Sequence, residues 1–305
     1  MIWKGRFTAA PSLDKLPVGL VEYQHILPDG TPTNFYQKLE WEYRKYPHAL
    51  LVGGTGSGKT TLLKNMLAQF IYREKEAEIY LATYKTRCED FSNIMENPHF
   101  GAYSQCQEVF NRFYERFQDR LNGSDKTRHM LLLFIDEWAG FLTSLNKKEQ
   151  DQVVGQMGQI AMLGRSLNVQ IILAMQRPDA VFFRNGARDN FNLIIGMGNM
   201  SSDGKRMIFP SDCIDQLQPV TEIGTGYALI GGYDLYRIRV PPLSEAVEKL
   251  ITRKFLFYSR KAERSLYENA KESQCNSAVG RLRSSKEEPG NHPGTNEQHG
   301  TDRPC

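Results

Sequence analysis

Unbroken apolar runs and helical stripes take turns along this chain. The runs at 49–52, 78–83, 130–135 and 169–175 are short and almost wholly apolar, a pattern that predicts strands buried on both faces. Between them, apolar positions recur every three or four residues. Over 61–72 the pairs Leu62/Leu63, Met66/Leu67 and Phe70/Ile71 return every fourth residue and make a broad stripe on a helix. Over 104–121, Val109, Phe110, Phe113, Tyr114 and Phe117 share one helical face, and 147–164 reads as a further helix. More strands are expected at 192–196, 226–230 and 235–240. Strands alternating with helices predict an α/β fold with a mainly parallel central sheet covered by helices on both faces.

The ends of the chain read differently. Residues 1–45 carry short alternating stretches, such as 20–26, around a Pro28-Asp29-Gly30 turn. They are expected to form a β-rich segment packing on a main domain of 46–243. Ser244, after Pro241-Pro242, is placed to cap a helix over 244–272. From 273 to 305 Ser, Gly, Pro, Asn and charge dominate, so this tail is expected to be disordered.

Composition changes this picture little. The 305 residues are 40% hydrophobic and 24% charged, which excludes wholesale disorder, and Gly 25 with Pro 14 excludes a collagen-like chain. A formal net charge of +3 permits a nucleic-acid partner without pointing to one. Five cysteines (Cys88, Cys106, Cys213, Cys275 and Cys305) are odd in number and scattered, making neither a CxxC metal pair nor a disulfide framework. The longest apolar runs fall far short of the roughly 18 residues a membrane helix needs, and the start lacks a signal peptide. A cytoplasmic chain with no transmembrane segment of its own is expected.

The chemistry begins at Gly53-Gly54-Thr55-Gly56-Ser57-Gly58-Lys59-Thr60, followed by Thr61, which satisfies the phosphate-loop pattern GxxxxGK[ST]. Chance produces such a match in on the order of 1% of chains this long. Here a strand precedes it and an amphipathic helix follows. Glycines let backbone N–H groups wrap a phosphate, and the helix N-terminus adds a favourable dipole. In such loops the lysine, Lys59, reaches the β- and γ-phosphates and the Thr60 hydroxyl sits on Mg2+. ATP and Mg2+ are therefore the expected cofactors. The run Leu131-Leu132-Leu133-Phe134-Ile135-Asp136-Glu137 is a buried strand ending in two acids. Beside a phosphate loop, the first acid holds Mg2+ and the second polarises the attacking water. Gln176, after the strand 169–175, is placed to touch the γ-phosphate.

These residues resemble the FtsK/SpoIIIE–HerA superfamily of DNA-translocating ATPases over about 40–243. Four blocks carry the resemblance: 47–60, 133–137, the stretch Gly164-Arg165-Ser166-Leu167-Asn168-Val169-Gln170-Ile171-Ile172-Leu173-Ala174-Met175-Gln176-Arg177-Pro178, and Ser202-Asp203-Gly204-Lys205-Arg206. The third is the most specific. The resemblance implies a RecA-like P-loop NTPase domain working as a ring, usually of six, around DNA. It makes Gln176 the γ-phosphate sensor and either Arg165 or Arg206 the finger inserted into a neighbour's site. Arg206 is favoured because it falls where the family has an Asp-Ser-Arg signature.

Where chromosome-segregating members have Asp-Pro-Lys, this chain has Thr83-Tyr84-Lys85, so only the lysine matches. No room follows the motor for a winged-helix module, and the compact build is most similar to FtsK-like coupling proteins of Gram-positive conjugative elements and plasmids. That similarity implies a DNA translocase of a mobile element, a homo-hexamer on single- or double-stranded DNA, with a relaxase or transfer-channel protein as partner that would recruit it to the membrane. Lys147/Lys148 and Arg184/Arg188 are candidates to line the pore. The alternative is an ATP-switched adaptor that recruits a relaxase or replication protein without translocating. Two adjacent acids and a candidate trans arginine favour the motor.

Overall fold

Residues 14–85, 89–94, 97–183 and 186–284 are described in the computed structural model, with residue 89 and 265–284 as backbone only. The chain divides into two units, 1–259 and 260–305, and everything that positions the candidate site lies in the first. Its centre is a ten-stranded sheet. In chain order the strands are β1 (Leu16–Ile26), β2 (Pro32–Trp41), β3 (Ala49–Gly53), β4 (Glu78–Thr83), β5 (Phe100–Ala102), β6 (Leu131–Asp136), β7 (Val169–Met175), β8 (Leu193–Met197), β9 (Thr225–Ile230) and β10 (Asp234–Arg239). Their order across the sheet is β2-β1-β10-β9-β8-β3-β7-β6-β4-β5. From β8 to β5 every pairing is parallel, and from β8 to β2 every pairing is antiparallel.

The helices are α1 (Lys59–Arg73), α2 (Cys106–Leu121), α3 (Trp138–Ser144), α4 (Lys147–Leu163), α5 (Ser202–Ile208), α6 (Ser211–Ile214) and α7 (Glu245–Ser284). They cover both faces, and the apolar strands split between the two cores that result. Along β6, Leu132 and Phe134 join α1 and the start of α7 in one core, while Leu131, Leu133 and Ile135 join α2, α3 and α4 in the other. This two-sided burial is why the strand reads as an unbroken apolar run. Side chains such as Phe113, Phe117 and Phe134 are fully buried, each worth about 1.5–3 kcal/mol.

The strand pair around Pro28-Asp29-Gly30 forms β1 and β2, and it continues the central sheet: Leu20 pairs with Arg239 and Val21 with Ile238 on β10. The last helix runs to Ser284, beyond the 272 expected for its end, so the first part of the expected tail is helical and 285–305 lie outside the described residues. Residues 1–13, Cys88, Arg184 and Cys305 lie outside them too. Lys254, on α7, is half-buried and donates to the Ala77 carbonyl at 2.9 Å. Among the described residues no helix is long and apolar enough to cross a membrane.

Candidate nucleotide site

The central strand β3 delivers the phosphate loop. It lies between β7 and β8, with Val52 opposite Met175 and Gly53 opposite Met197, so the loop leaves the sheet at the carboxyl ends of three parallel strands, where such folds place ligands. Ser57 N–H donates to the Gly54 carbonyl at 3.2 Å, and Gly224 N–H donates to the Ser57 carbonyl at 3.0 Å, pinning the loop from inside and outside. Gly58 stands at φ +101, and a Cβ there would lie 3.1 Å from the Gly224 Cα, so a side chain is refused both by conformation and by space. Helix α1 begins at the next residue with no side-chain cap. The N–H groups of its first turn, which holds Lys59, Thr60 and Thr61, have no intrahelical partner and face the loop's concavity. Gly54, Thr55 and Gly56 are exposed at the mouth.

Lys59 is only 5% exposed. Its Nζ donates to the Gly54 carbonyl at 3.3 Å and lies 3.8 Å from Glu137 Oε1. Burial pushes the lysine's pKa down, against the pull of Glu137 and Asp136. A desolvated ammonium held this way favours a strong anionic partner such as a phosphate.

The two acids end β6. Asp136 is fully buried; its Oδ2 accepts from the Thr60 hydroxyl at 3.3 Å, and its Oδ1 has no hydrogen-bond partner. Glu137 stands in the left-handed region at φ 63 and opens α3. That conformation costs a non-glycine residue on the order of 1 kcal/mol or more, and here it turns the carboxylate toward Lys59. Among the described residues no group of three or more His, Cys, Asp or Glu is gathered to hold a metal by itself. The Thr60 hydroxyl and the Asp136 carboxylate, with one oxygen on Thr60 and the other orphaned, do fit a Mg2+ that arrives with a triphosphate, since Mg2+ takes one or two protein oxygens and completes its shell with phosphate and water.

Lys85 is the residue that sequence reasoning left without a role. Its Nζ lies 2.9 Å from Asp136 Oδ2, donates to Thr60 Oγ1 at 3.1 Å, and lies 2.6 Å from Asp90 Oδ2. Burial works to lower its pKa, but Asp136 and Asp90 outweigh it and the net direction is up. The signal that could have found it is register: Thr83 at the end of β4 pairs with Asp136, so Lys85 emerges beside the acid pair.

Lys59, Thr60, Asp136 and Glu137 thus converge around the loop. Gln176 is exposed and follows Met175, the β7 partner of Val52, which sets it beside Gly53. The two arginines stay apart from this cluster. Arg165 is exposed on the 3₁₀ turn Gly164–Leu167, which precedes β7 and so lies at the opposite end of the sheet from the loop. Arg206 is exposed on α5 and lines a cleft of about 330 Å³ with Arg188, Asn192 and Gly231, near the start of β8 rather than its loop end. Lys147 and Lys148 are exposed at the start of α4, where Lys147 pairs with Asp151 at 3.2 Å.

Comparison with known proteins agrees with this geometry. The FtsK/SpoIIIE family profile matches residues 32–112. The chain is similar to the FtsK domain-containing protein YdcQ of Bacillus subtilis, 27% identical over 209 residues covering 63% of this chain and 42% of that protein. It is also similar to the DNA translocase FtsK of Borreliella burgdorferi, 22% identical over 197 residues covering 56% of this chain and 24% of that protein. It spans less than half the length of either relative. In fold it is similar to the pCW3 conjugation coupling protein TcpA solved with ATPγS, at TM-score 0.60 and 18% identity over 80% of this chain and 72% of that one. The type VII secretion ATPase EccC of Thermomonospora curvata shares the fold at TM-score 0.56 and 21% identity over 83% of this chain and 32% of that one. The chain thus carries an FtsK/SpoIIIE family segment at 32–112 on a P-loop ATPase fold, and the four sequence blocks and the phosphate-loop site agree with that similarity.

Proposed function

We propose that this chain is an ATP-hydrolysing DNA translocase that acts as a coupling motor of a mobile genetic element, in a homo-oligomeric ring in which Arg206 of one subunit completes the site of the next. The observation that supports hydrolysis most is the Lys59–Glu137 pair beside the buried Asp136. Without nucleotide, Glu137 faces Lys59 at 3.8 Å. A triphosphate in the loop draws the Lys59 charge to its own oxygens, which leaves Glu137 as a carboxylate free to orient a water and accept its proton. Thr60 and Asp136 would hold Mg2+, whose charge offsets that of the phosphates. Gln176, beside Gly53, is placed to sense the γ-phosphate and pass its loss to β7.

Arg165 and Arg206 lie away from their own chain's loop, which suits a role in trans for either. DNA as the substrate is supported by the family match and by the DNA translocase named among the relatives, and conjugation by the fold shared with TcpA. A second reading has support of its own: a relative named ESX secretion system protein YukB is 25% identical over 225 residues. The deciding measurement is ATP turnover with no DNA, single-stranded DNA and duplex DNA. Stimulation by either DNA supports the translocase. A rate indifferent to both, and flat with dilution, removes the motor and leaves a nucleotide-switched adaptor or a secretion ATPase.

A further inference from the structure

The place assigned to Mg2+ is already filled by a cation of the chain's own. Lys85 leaves the end of β4 under tight backbone control, because Thr83 is in register with Asp136 and Tyr84 N–H donates to the Asp136 carbonyl at 3.0 Å. Its ammonium then reaches both groups that would hold the metal, the Asp136 carboxylate through Oδ2 at 2.9 Å and the Thr60 hydroxyl through Oγ1 at 3.1 Å. Mg2+ bonds oxygen at about 2.1 Å, so metal and ammonium cannot occupy that seat together. The charge is needed there, since a fully buried carboxylate left unpaired costs several kcal/mol. Asp90 Oδ2 lies 2.6 Å from the same ammonium on its outer side, and its side chain is 42% exposed. It offers a second anchor toward solvent.

We propose that Lys85 is the resident counter-ion of the nucleotide-free site, filling the Mg2+ seat between Thr60 and Asp136 until Mg–ATP displaces it toward Asp90. The inference rests on the nucleotide-binding reading above. Two consequences follow from charge alone. A divalent ion without nucleotide must expel an ammonium held by two carboxylates, so it binds weakly. With nucleotide, the phosphates supply the negative charge that brings the metal in, and the position of Lys85 reports whether the site is filled.

Mn2+ replaces Mg2+ as the probe, and free Mn2+ is followed by electron paramagnetic resonance in titrations of the full nucleotide-free chain. Wild type is expected to bind Mn2+ weakly. Lys85→Met should bind it on the order of tenfold more tightly or better, because one repelling charge is gone, while Lys85→Arg, which keeps the charge, should stay weak. Superimposable wild-type and Lys85→Met curves, or tight binding of one Mn2+ by nucleotide-free wild type, would overturn the proposal. A second measurement needs no variant: acetylation of Lys85 in wild type, read by peptide mass spectrometry, should rise several-fold on adding Mg2+ with ATPγS. Unchanged or reduced labelling, with ATPγS shown to be bound, refutes the displacement. If wild type binds no ATPγS at all, the nucleotide-site reading itself falls and takes this inference with it.

Discussion

Acid should weaken this fold through one histidine at the foot of the phosphate-loop strand. His48 is fully buried, stands at φ 63, and accepts the Ile171 N–H on its Nδ1 at 3.1 Å. Protonation there both places a charge in an apolar site and breaks the tie between the start of β3 and β7. Burial lowers the imidazole pKa from 6.5 to about 4, and the nearby Ala161 carbonyl offsets only part of this. The folded pKa lies below the unfolded one, so between the two the unfolded chain binds more protons. Stability is therefore complete above pH 6.5 and is lost as pH falls toward 4. Each pH unit in that window is worth about 1.4 kcal/mol, giving a loss of about 2 kcal/mol at pH 5 against a typical total of 5–15 kcal/mol. Urea unfolding of wild type and His48→Asn at pH 7.5, 6 and 5 isolates the effect. Asparagine tolerates the left-handed backbone and keeps an acceptor near Nδ1, but it does not titrate. The stability difference between the two proteins should shift by about 2 kcal/mol in favour of the variant between pH 7.5 and 5. A difference that stays constant with pH refutes the reasoning, whatever its size.

Glu137→Gln should retain ATP binding and lose turnover by about 10²–10⁴-fold, the usual contribution of a positioned base; binding by fluorescent nucleotide and phosphate release by coupled assay separate the two, and wild-type turnover would sink the assignment. Lys59→Ala should lose binding itself, by about tenfold or more, since the phosphates lose a desolvated counter-charge. For the ring, Arg206→Ala should bind ATP but hydrolyse about 10³–10⁵-fold more slowly, and mixing it with Lys59→Ala should restore part of the rate. Rescue of Arg165→Ala instead transfers the role to Arg165, and failure to rescue either removes the trans finger.

Much of the fold was legible because burial writes itself into local sequence. The strands β3, β4, β6 and β7 are covered on both faces, so almost every position is apolar, and the stripe on α2 repeats at helical spacing. The phosphate loop and the acid pair were legible for a different reason: each is a contiguous motif whose chemistry depends on neighbours in sequence. What stayed hidden depends on pairing across the sheet. The short edge strand β5 carries three residues and no periodicity. That β9 enters antiparallel beside β8, and that β1 closes on β10, are facts of topology without a local signature. Lys85 belongs with these. As one lysine after a strand it resembles any solvated loop residue, and only the Thr83–Asp136 register gives it its partners. The left-handed Glu137 was hidden too, because no feature of an Asp-Glu pair shows the backbone turn that aims it.

The closure of β1 on β10 sets a timetable for the nascent chain. Leu20 lies on the first strand of the sheet to be synthesised, and its partner Arg239 ends the last. At about 5–20 residues per second, the gap between them is on the order of 10–40 s. Throughout that interval β1 and β2 can pair with each other, but the inner edge of β1 has no strand to receive it. The parallel half of the sheet is complete once Met197 has emerged, so it can collapse around its two cores while the hairpin waits. The early hairpin is then the segment most open to pairing with another chain on the same polysome, and the one on which a holding chaperone has the longest purchase.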